Sequence, residues 1–294
     1  MSLLIGTRGS ALALAQADKV IRMLRERGVE AEKVVITTIG DSVTGVPLHE
    51  IGGQGVFVRA LDEALIRGDI DAAVHSAKDI PAKRPAGLVT CAILERDSPA
   101  DYLVHEVPFD SIRVVGTSST RRKAQLLRHH PGLDIVPLRG NVDTRLRRLA
   151  EGRYDAIVLA EAGLQRLMLS LPGTRLSPET FVPSPNQGTI AVVSRSGKVA
   201  AMLAGLLDHG QTRRDIMLER IVMEEVGGGC FTPQGLYCNH GHLFAEILSL
   251  DGKRCVRKEL HSADESSARL LGRELKKEAD PLIREAHEKL GLKE

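Results

Sequence analysis

Glu224-Glu225-Val226-Gly227-Gly228-Gly229-Cys230-Phe231-Thr232-Pro233 sets a thiol directly behind three glycines. Glycine adopts positive φ at little cost and lets another group approach the backbone. A thiol is the most nucleophilic side chain near neutral pH. The loop reads as a place where something is held against sulfur; the alternative is that Cys230 is a small buried hydrophobe at a helix end. A second chemical pair, Lys78-Asp79, lies in His75-Ser76-Ala77-Lys78-Asp79-Ile80-Pro81. A strand, then polar residues, then proline is the layout of the carboxyl edge of a parallel sheet, where open α/β folds bind ligands. There a carboxylate can transfer protons beside a lysine that holds an anion; a solvated charge pair is the alternative.

Arginines form the third group. Thr117-Ser118-Ser119-Thr120 leads into a helix expected over Arg121 to Arg128, so Arg121 and Arg122 sit at a helix N-terminus. Cations there oppose the helix dipole, and such a local mismatch points to a compensating ligand. Hydroxyls, free N–H groups and paired guanidiniums suit carboxylate or phosphate. Arg8 precedes a helix for which Ser10 is the N-cap, another anion-favouring position. In Arg139-Gly140-Asn141 and the helix that follows, Val142, Leu146 and Leu149 make the apolar face. At about 100° per residue Arg145 flanks that face and Arg147 points away.

Composition narrows the classes. The 294 residues suffice for two or three domains, and 43% hydrophobic content is ordinary for a globular protein. No apolar run is long enough to span a bilayer, and the start Met1-Ser2-Leu3-Leu4-Ile5-Gly6-Thr7-Arg8 lacks the build of a signal peptide. The expectation is a cytoplasmic monomer with no membrane and no nucleic-acid partner. The net charge is only +2. Between Arg113 and Arg153, however, ten Lys/Arg face three acids, which predicts an anionic partner. With no Trp and few aromatics, stacking of single-stranded nucleic acid is a poor reading. Cys91, Cys230, Cys238 and Cys255 form no C-x-x-C pair. Cys238-Asn239-His240-Gly241-His242 could be half of a metal site with Cys255, but a hairpin turn with incidental histidines is preferred, and no metal is expected.

The elements that must position these residues alternate. Strands are expected at Leu3–Gly6, Lys33–Thr37, Ile70–Val74, Leu88–Leu94, Arg113–Gly116, Asp134–Leu138 and Thr189–Ser194. Helices are expected at Ala11–Arg27, Val56–Arg67 and Arg121–Arg128, from Val142 past Leu149, after Ser194 to about His209, and at Gln211–Val226. From Cys230 to His261 the pattern is that of a small antiparallel sheet with turns at Asn239-His240-Gly241 and Asp251-Gly252, and two helices close the chain. A weak repeat relates Gly68–Val74 to Gly152–Val158, and Ile5–Ser10 to Val115–Thr120, suggesting two similar lobes across a cleft. Polar, proline-containing stretches at 95–99 and 183–188 read as crossings.

These motifs together resemble the porphobilinogen deaminase (hydroxymethylbilane synthase) family. The match runs over essentially the whole length, through Thr7-Arg8-Gly9-Ser10, Gly52-Gly53-Gln54-Gly55-Val56-Phe57, His75 to Pro81, Gly116-Thr117-Ser118-Ser119, Leu138-Arg139-Gly140-Asn141-Val142, Gln187-Gly188 and Gly228-Gly229-Cys230. The resemblance implies an α/β fold of three domains. Two are periplasmic-binding-protein-like (type II) lobes, at 1–96 with 189–209 and at 100–186; the third, 211–294, is a small α+β domain with a three-stranded antiparallel sheet.

The same resemblance implies a transferase of haem and porphyrin biosynthesis that joins porphobilinogen units into hydroxymethylbilane with release of ammonia. It implies a dipyrromethane cofactor in thioether linkage to Cys230, and Asp79 as the catalytic carboxylate. It implies that Arg8, Ser10, Lys78, Thr117, Ser118, Ser119, Arg121, Arg122, Arg139, Asn141, Arg145, Arg166 and Gln187 hold acetate and propionate groups. Gln54, Phe57 and Arg59 fall in the family's flexible loop; Gln54 stands where Lys is common and Arg59 replaces a common Lys. The competing reading is a non-enzymatic two-lobe anion-binding protein.

Overall fold

The computed structural model describes residues 2–37, 56–81, 84–227 and 232–291. The chain divides into two compact units. One comprises Met1–Asp97, Arg166–Met168 and Gly188–Arg213; the other comprises Ser98–Gln165, Leu169–Gln187 and Arg214–Glu294.

The first unit is built on a five-stranded sheet of β1 (Leu3–Thr7), β2 (Ala31–Val35), β3 (Ala72–Ser76), β4 (Leu88–Ile93) and β10 (Ile190–Arg195), in the order β2-β1-β3-β10-β4. β1 runs parallel to β2 and β3, while β10 returns late in the chain and pairs antiparallel with β3 and β4. Helix α1 (Ala11–Arg25) is capped by Ser10 and buries Ala17, Val20, Ile21 and Leu24, the stripe its 3.6-residue period predicts. Helix α2 spans Val56–Arg67 and α6 spans Lys198–Leu207.

The second unit repeats the arrangement. Its sheet of β5 (Asp101–His105), β6 (Val114–Gly116), β7 (Asp134–Val136), β8 (Ala156–Ala160) and β9 (Gly173–Leu176) has the order β7-β6-β8-β5-β9. β6 is parallel to β7 and β8, and β5 is antiparallel to β8 and β9. Helices α3 (Thr120–His129), α4 (Val142–Ala150) and α5 (Glu161–Arg166) follow β6, β7 and β8.

The sequence repeat is carried by the register. Ile5 and Gly6 pair with Ala72 and Ala73, and Val115 and Gly116 pair with Ala156 and Ile157. Asp71 accepts from the Leu4 N–H as Asp155 accepts from the Val114 N–H, at 2.8 and 2.7 Å. A Cβ on Gly6 would overlap the Ile70 side chain, and one on Gly116 would sit 2.9 Å from Tyr154. Ile70 and Tyr154 are themselves equivalent in the repeat, so glycine is required twice for the same close approach.

Also in the second unit, α7 (Gly210–Val226, of which 210–213 belong to the first unit) precedes a three-stranded antiparallel sheet, β11 (Gln234–Asn239), β12 (His242–Leu248) and β13 (Cys255–Leu260). One long helix, α8 (Glu265–Lys289), closes the chain. This corrects the expectation of two closing helices. Pro281 lies inside α8, but Leu275 and Ala279 before it and Leu282 and Ile283 after it share one core with β11 and β12. That shared burial keeps the helix continuous although proline removes one backbone bond. A second correction is β5, which the sequence reading passed over.

Candidate functional site

In the first unit, β1 and β3 are parallel neighbours, so the residues after each leave the same sheet edge. Arg8 follows β1, and a short 3-10 turn of Ala77–Asp79 follows β3. The Ser10 hydroxyl accepts from the Ala13 N–H at 3.3 Å, which makes it the cap of α1. Thr7 Oγ1 donates to the Ala13 carbonyl and Gln16 Nε2 donates to Ser76 Oγ, at 3.0 and 2.8 Å, tying α1 to both strand ends. Lys78 and Asp79 are exposed. Among the described residues, nothing bonds the Asp79 carboxylate into the fold.

Arg166 belongs to this unit and already has an anion. Its Nε meets Asp97 Oδ2 at 2.8 Å and its Nη2 donates to the Gly188 carbonyl at 2.7 Å. Burial lowers its pKa, and the charges of Asp97 and Asp79 partly offset that. Lys19 bonds the other oxygen of Asp97 at 2.7 Å. Within β3, His75 is buried, and burial followed by the charges of Arg84 and Arg8 drives its pKa down to about 3. Arg84 is paired with Asp62 at 2.5 Å.

In the second unit the arginines at the start of α3 have a partner that sequence reasoning missed. Asp101, the first residue of β5, is 1% exposed. Its Oδ1 accepts from Arg122 Nη2 at 2.7 Å and Nε at 3.2 Å, and its Oδ2 lies 2.8 Å from Arg121 Nη1. Burial pushes the Asp101 pKa up, but the two guanidiniums outweigh it and hold the carboxyl well below the usual range. Arg121 also donates to Gln125 Oε1 and the Val182 carbonyl, and Gln125 Nε2 donates to Glu246 Oε1 at 2.6 Å. Arg121 and Arg122 thus share one internal anion, Asp101, which offsets one of their two charges.

Gln187 serves the same carboxylate. It is buried, and its Nε2 donates to Asp101 Oδ1 at 2.9 Å and to the Pro99 carbonyl at 2.8 Å. Its oxygen accepts from Ser184 Oγ. With both ends taken inside the unit, it positions Asp101 and does not present an amide to a ligand.

Three of the predicted polar residues cap or brace helices. Ser119 Oγ accepts from the Arg122 N–H, Thr117 Oγ1 accepts from the Ser119 N–H, and Asn141 Oδ1 accepts from the Thr144 N–H. Ser118 and Arg139 are exposed. Val142, Leu146 and Leu149 pack against the core, while Arg147 is a solvated charge beside Glu151.

Arg145 differs from its neighbours. Its Nε donates to the Gly140 carbonyl at 2.8 Å, and among the described residues no acid pairs with it. Burial, then repulsion from Arg122, lowers its pKa to about 10. A half-buried cation with only a neutral partner, within reach of the Arg122 charge, fits a ligand that brings carboxylates.

Gln54 and Cys230 lie outside the described residues. Phe57 lies in the first turn of α2 and Arg59 on its exposed side. Cys238, once a candidate metal ligand, is buried; burial with Asp215 and Glu219 pushes its thiol pKa up, and its Sγ donates to Asp215 Oδ1.

Two five-stranded sheets of matched topology and a separate three-stranded antiparallel sheet define a mixed α/β protein with cations beyond its strand ends. Residues 3–202 match the family model described as porphobilinogen deaminase, dipyromethane cofactor binding domain. The chain is 48% identical over 267 residues to a probable porphobilinogen deaminase of Methanosarcina mazei, covering 87% of this chain and 84% of that one. It is 45% identical to one from Archaeoglobus fulgidus, covering 95% and 99%, and 40% identical to the porphobilinogen deaminase of Nitratidesulfovibrio vulgaris, covering 93% and 92%. Among solved structures, a periplasmic substrate-binding protein of an ABC transporter from Coxiella burnetii is similar at 12% identity and TM-score 0.44, covering 74% of this chain and 94% of that one. The chain belongs to the porphobilinogen deaminase family, transferases whose domain binds a dipyrromethane cofactor.

Proposed function

We propose that this chain joins porphobilinogen units, with loss of ammonia, into hydroxymethylbilane on a dipyrromethane primer held by a thioether to Cys230. The observation that supports this most is the placement of Asp79, an exposed carboxylate next to Lys78, one strand away from Arg8. When bound, the dipyrromethane supplies the pyrrole carbon to which the first substrate unit is joined.

The remaining chemistry falls to side chains. Breaking the aminomethyl C–N bond of porphobilinogen expels ammonia and leaves a cation on the substrate. The Asp79 carboxylate stabilises that charge and takes the proton released when the new C–C bond forms. Arg8 and Lys78 hold substrate carboxylates beside it. Arg145, Arg139 and the Arg121–Arg122 pair hold the acetates and propionates of cofactor and growing chain. Ser118 and the capping hydroxyls of Ser10, Thr117 and Ser119 add donors, as does the Asn141 amide. Phe57 and Arg59 lie in α2, which corrects their expected place in a flexible loop; for Gln54 alone the loop role is kept as part of this reading.

We assign residues 1–96 with 189–209, 100–186 and 211–294 to three domains, the last for cofactor attachment. The reading takes the protein as a cytoplasmic monomer without nucleic-acid or membrane partners; no helix among the described residues is long and apolar enough to cross a membrane. The test is the intact mass of the protein with a peptide map around Cys230. Added mass equal to two porphobilinogen units less two ammonias, on Cys230, is expected. Cys230 still unmodified after incubation with porphobilinogen would overturn the assignment and favour non-enzymatic anion binding.

A further inference from the structure

The β12–β13 hairpin gathers three potential metal ligands, none of which has been given a role above. Leu243 pairs with Leu260, so His242 and His261, one residue outside that pair, come together with ring centroids 4.1 Å apart. Glu259 lies two residues before His261 and projects from the same face. Its Oε1 is 2.6 Å from His242 Nε2 and 3.7 Å from His261 Nε2. One ligand atom from each of the three lies within 4.8 Å of the others.

We propose that His242, Glu259 and His261 form a binding site for a divalent transition metal of the zinc class. The donor set is two imidazoles and one carboxylate, which suits Zn²⁺ and its neighbours over Mg²⁺ or Ca²⁺. A tetrahedral Zn²⁺ at its usual bond lengths holds ligand atoms about 3.3 Å apart. The separations of 2.6 and 3.7 Å straddle that value, so small side-chain rotations admit the ion.

The backbone is already fixed. Six consecutive residue pairs hold β12 against β13, from Leu243 with Leu260 to Leu248 with Cys255, so little ordering is needed on binding. Phe244 pairs with Glu259 and its ring lies 4.3 Å from that of His242, which gives the site an apolar floor. Glu259 and His261 are exposed, and His242 is half-buried. An ion can therefore enter, and three protein ligands leave coordination positions for water or a small anion. Bound metal would clip the open end of the hairpin in the unit that contains α7 and α8.

The test is titration of the purified holoenzyme with Co²⁺, followed by its visible d–d bands, and with Zn²⁺ by calorimetry. One ion per chain with micromolar affinity is expected, weakened tenfold or more in each of His242→Ala, His261→Ala and Glu259→Gln. Circular dichroism checks that each variant folds; His261, at 77% exposure, is the substitution least able to disturb the fold. Saturating Zn²⁺ should raise the thermal midpoint of the parent protein and leave that of His261→Ala unchanged. No stoichiometric binding, or binding that persists in both histidine variants, would overturn the proposal.

Discussion

Asp101 grips Arg122 with a single oxygen, 2.7 Å from Nη2 and 3.2 Å from Nε, at the point where β5 begins and α3 has just begun. The same carboxylate faces Arg121, so one buried anion is shared by two buried cations. Asp101→Asn should therefore destabilise the protein by roughly 3–5 kcal/mol, since it strands buried charge. Urea denaturation at neutral pH measures this, and a loss below about 1 kcal/mol would contradict it. Because the folded-state pKa is depressed, the contribution is present above the unfolded carboxyl value of about 3.9 and fades as pH falls below it. The variant should lose less stability than the parent in that acid window.

Arg145 is the converse case, a cation with no acid to balance it among the described residues. Its burial works against the fold, so Arg145→Gln should be as stable as the parent or more so. Binding should suffer instead: loss of a charge-assisted bond to carboxylate, about 1.5–3 kcal/mol, corresponds to roughly a tenfold to hundredfold rise in KM. A destabilised variant with unchanged KM would show Arg145 to be structural.

How far the sequence carried the fold depends on the range of the interaction. The limits of α2 and the three strands of the small sheet are local patterns of period and turn, and they are where the spacing puts them. The repeat around Gly6 and Gly116 was legible because both glycines face the same steric demand. β5 was not, because the polar, proline-bearing stretch before it reads as a crossing, and its opening Asp is buried only by virtue of Arg121 and Arg122, some twenty residues on. The roles of Gln187 and Asp97 were hidden for the same reason: Gln187 reaches back to Pro99 and Asp101, and Asp97 meets Lys19 and Arg166 from distant segments.

His75 should make the fold acid-sensitive in a separate window. Its pKa falls from about 6.5 in the unfolded chain to about 3 in the fold, through burial and then the charges of Arg84 and Arg8. Below pH 6.5 the unfolded state binds the proton that the folded state refuses. Stability is thus complete above that pH and declines as pH falls toward 3, by up to about 1.4 kcal/mol per unit. His75→Gln should flatten the stability profile between pH 6 and 4, read by denaturation at each pH. Parallel profiles for parent and variant would refute the assignment.

Asp79 separates catalysis from folding. Its side chain is exposed and, among the described residues, bonds nothing in the fold, whereas Ala77 and Ile80 on either side of the pair are buried and fix the turn. Asp79→Asn keeps size and shape while removing the charge and the proton acceptor. The thermal midpoint and circular dichroism should match the parent. Turnover of porphobilinogen should fall by roughly 10²–10⁴, the usual share of a general acid–base group. Asp79→Glu, which restores the carboxylate on a longer arm, should recover part of that loss. Near-parental turnover in Asp79→Asn would remove Asp79 from the reaction and leave Lys78 and Arg8 as binding groups only; equal losses in both variants would show that position, and not charge alone, governs the step.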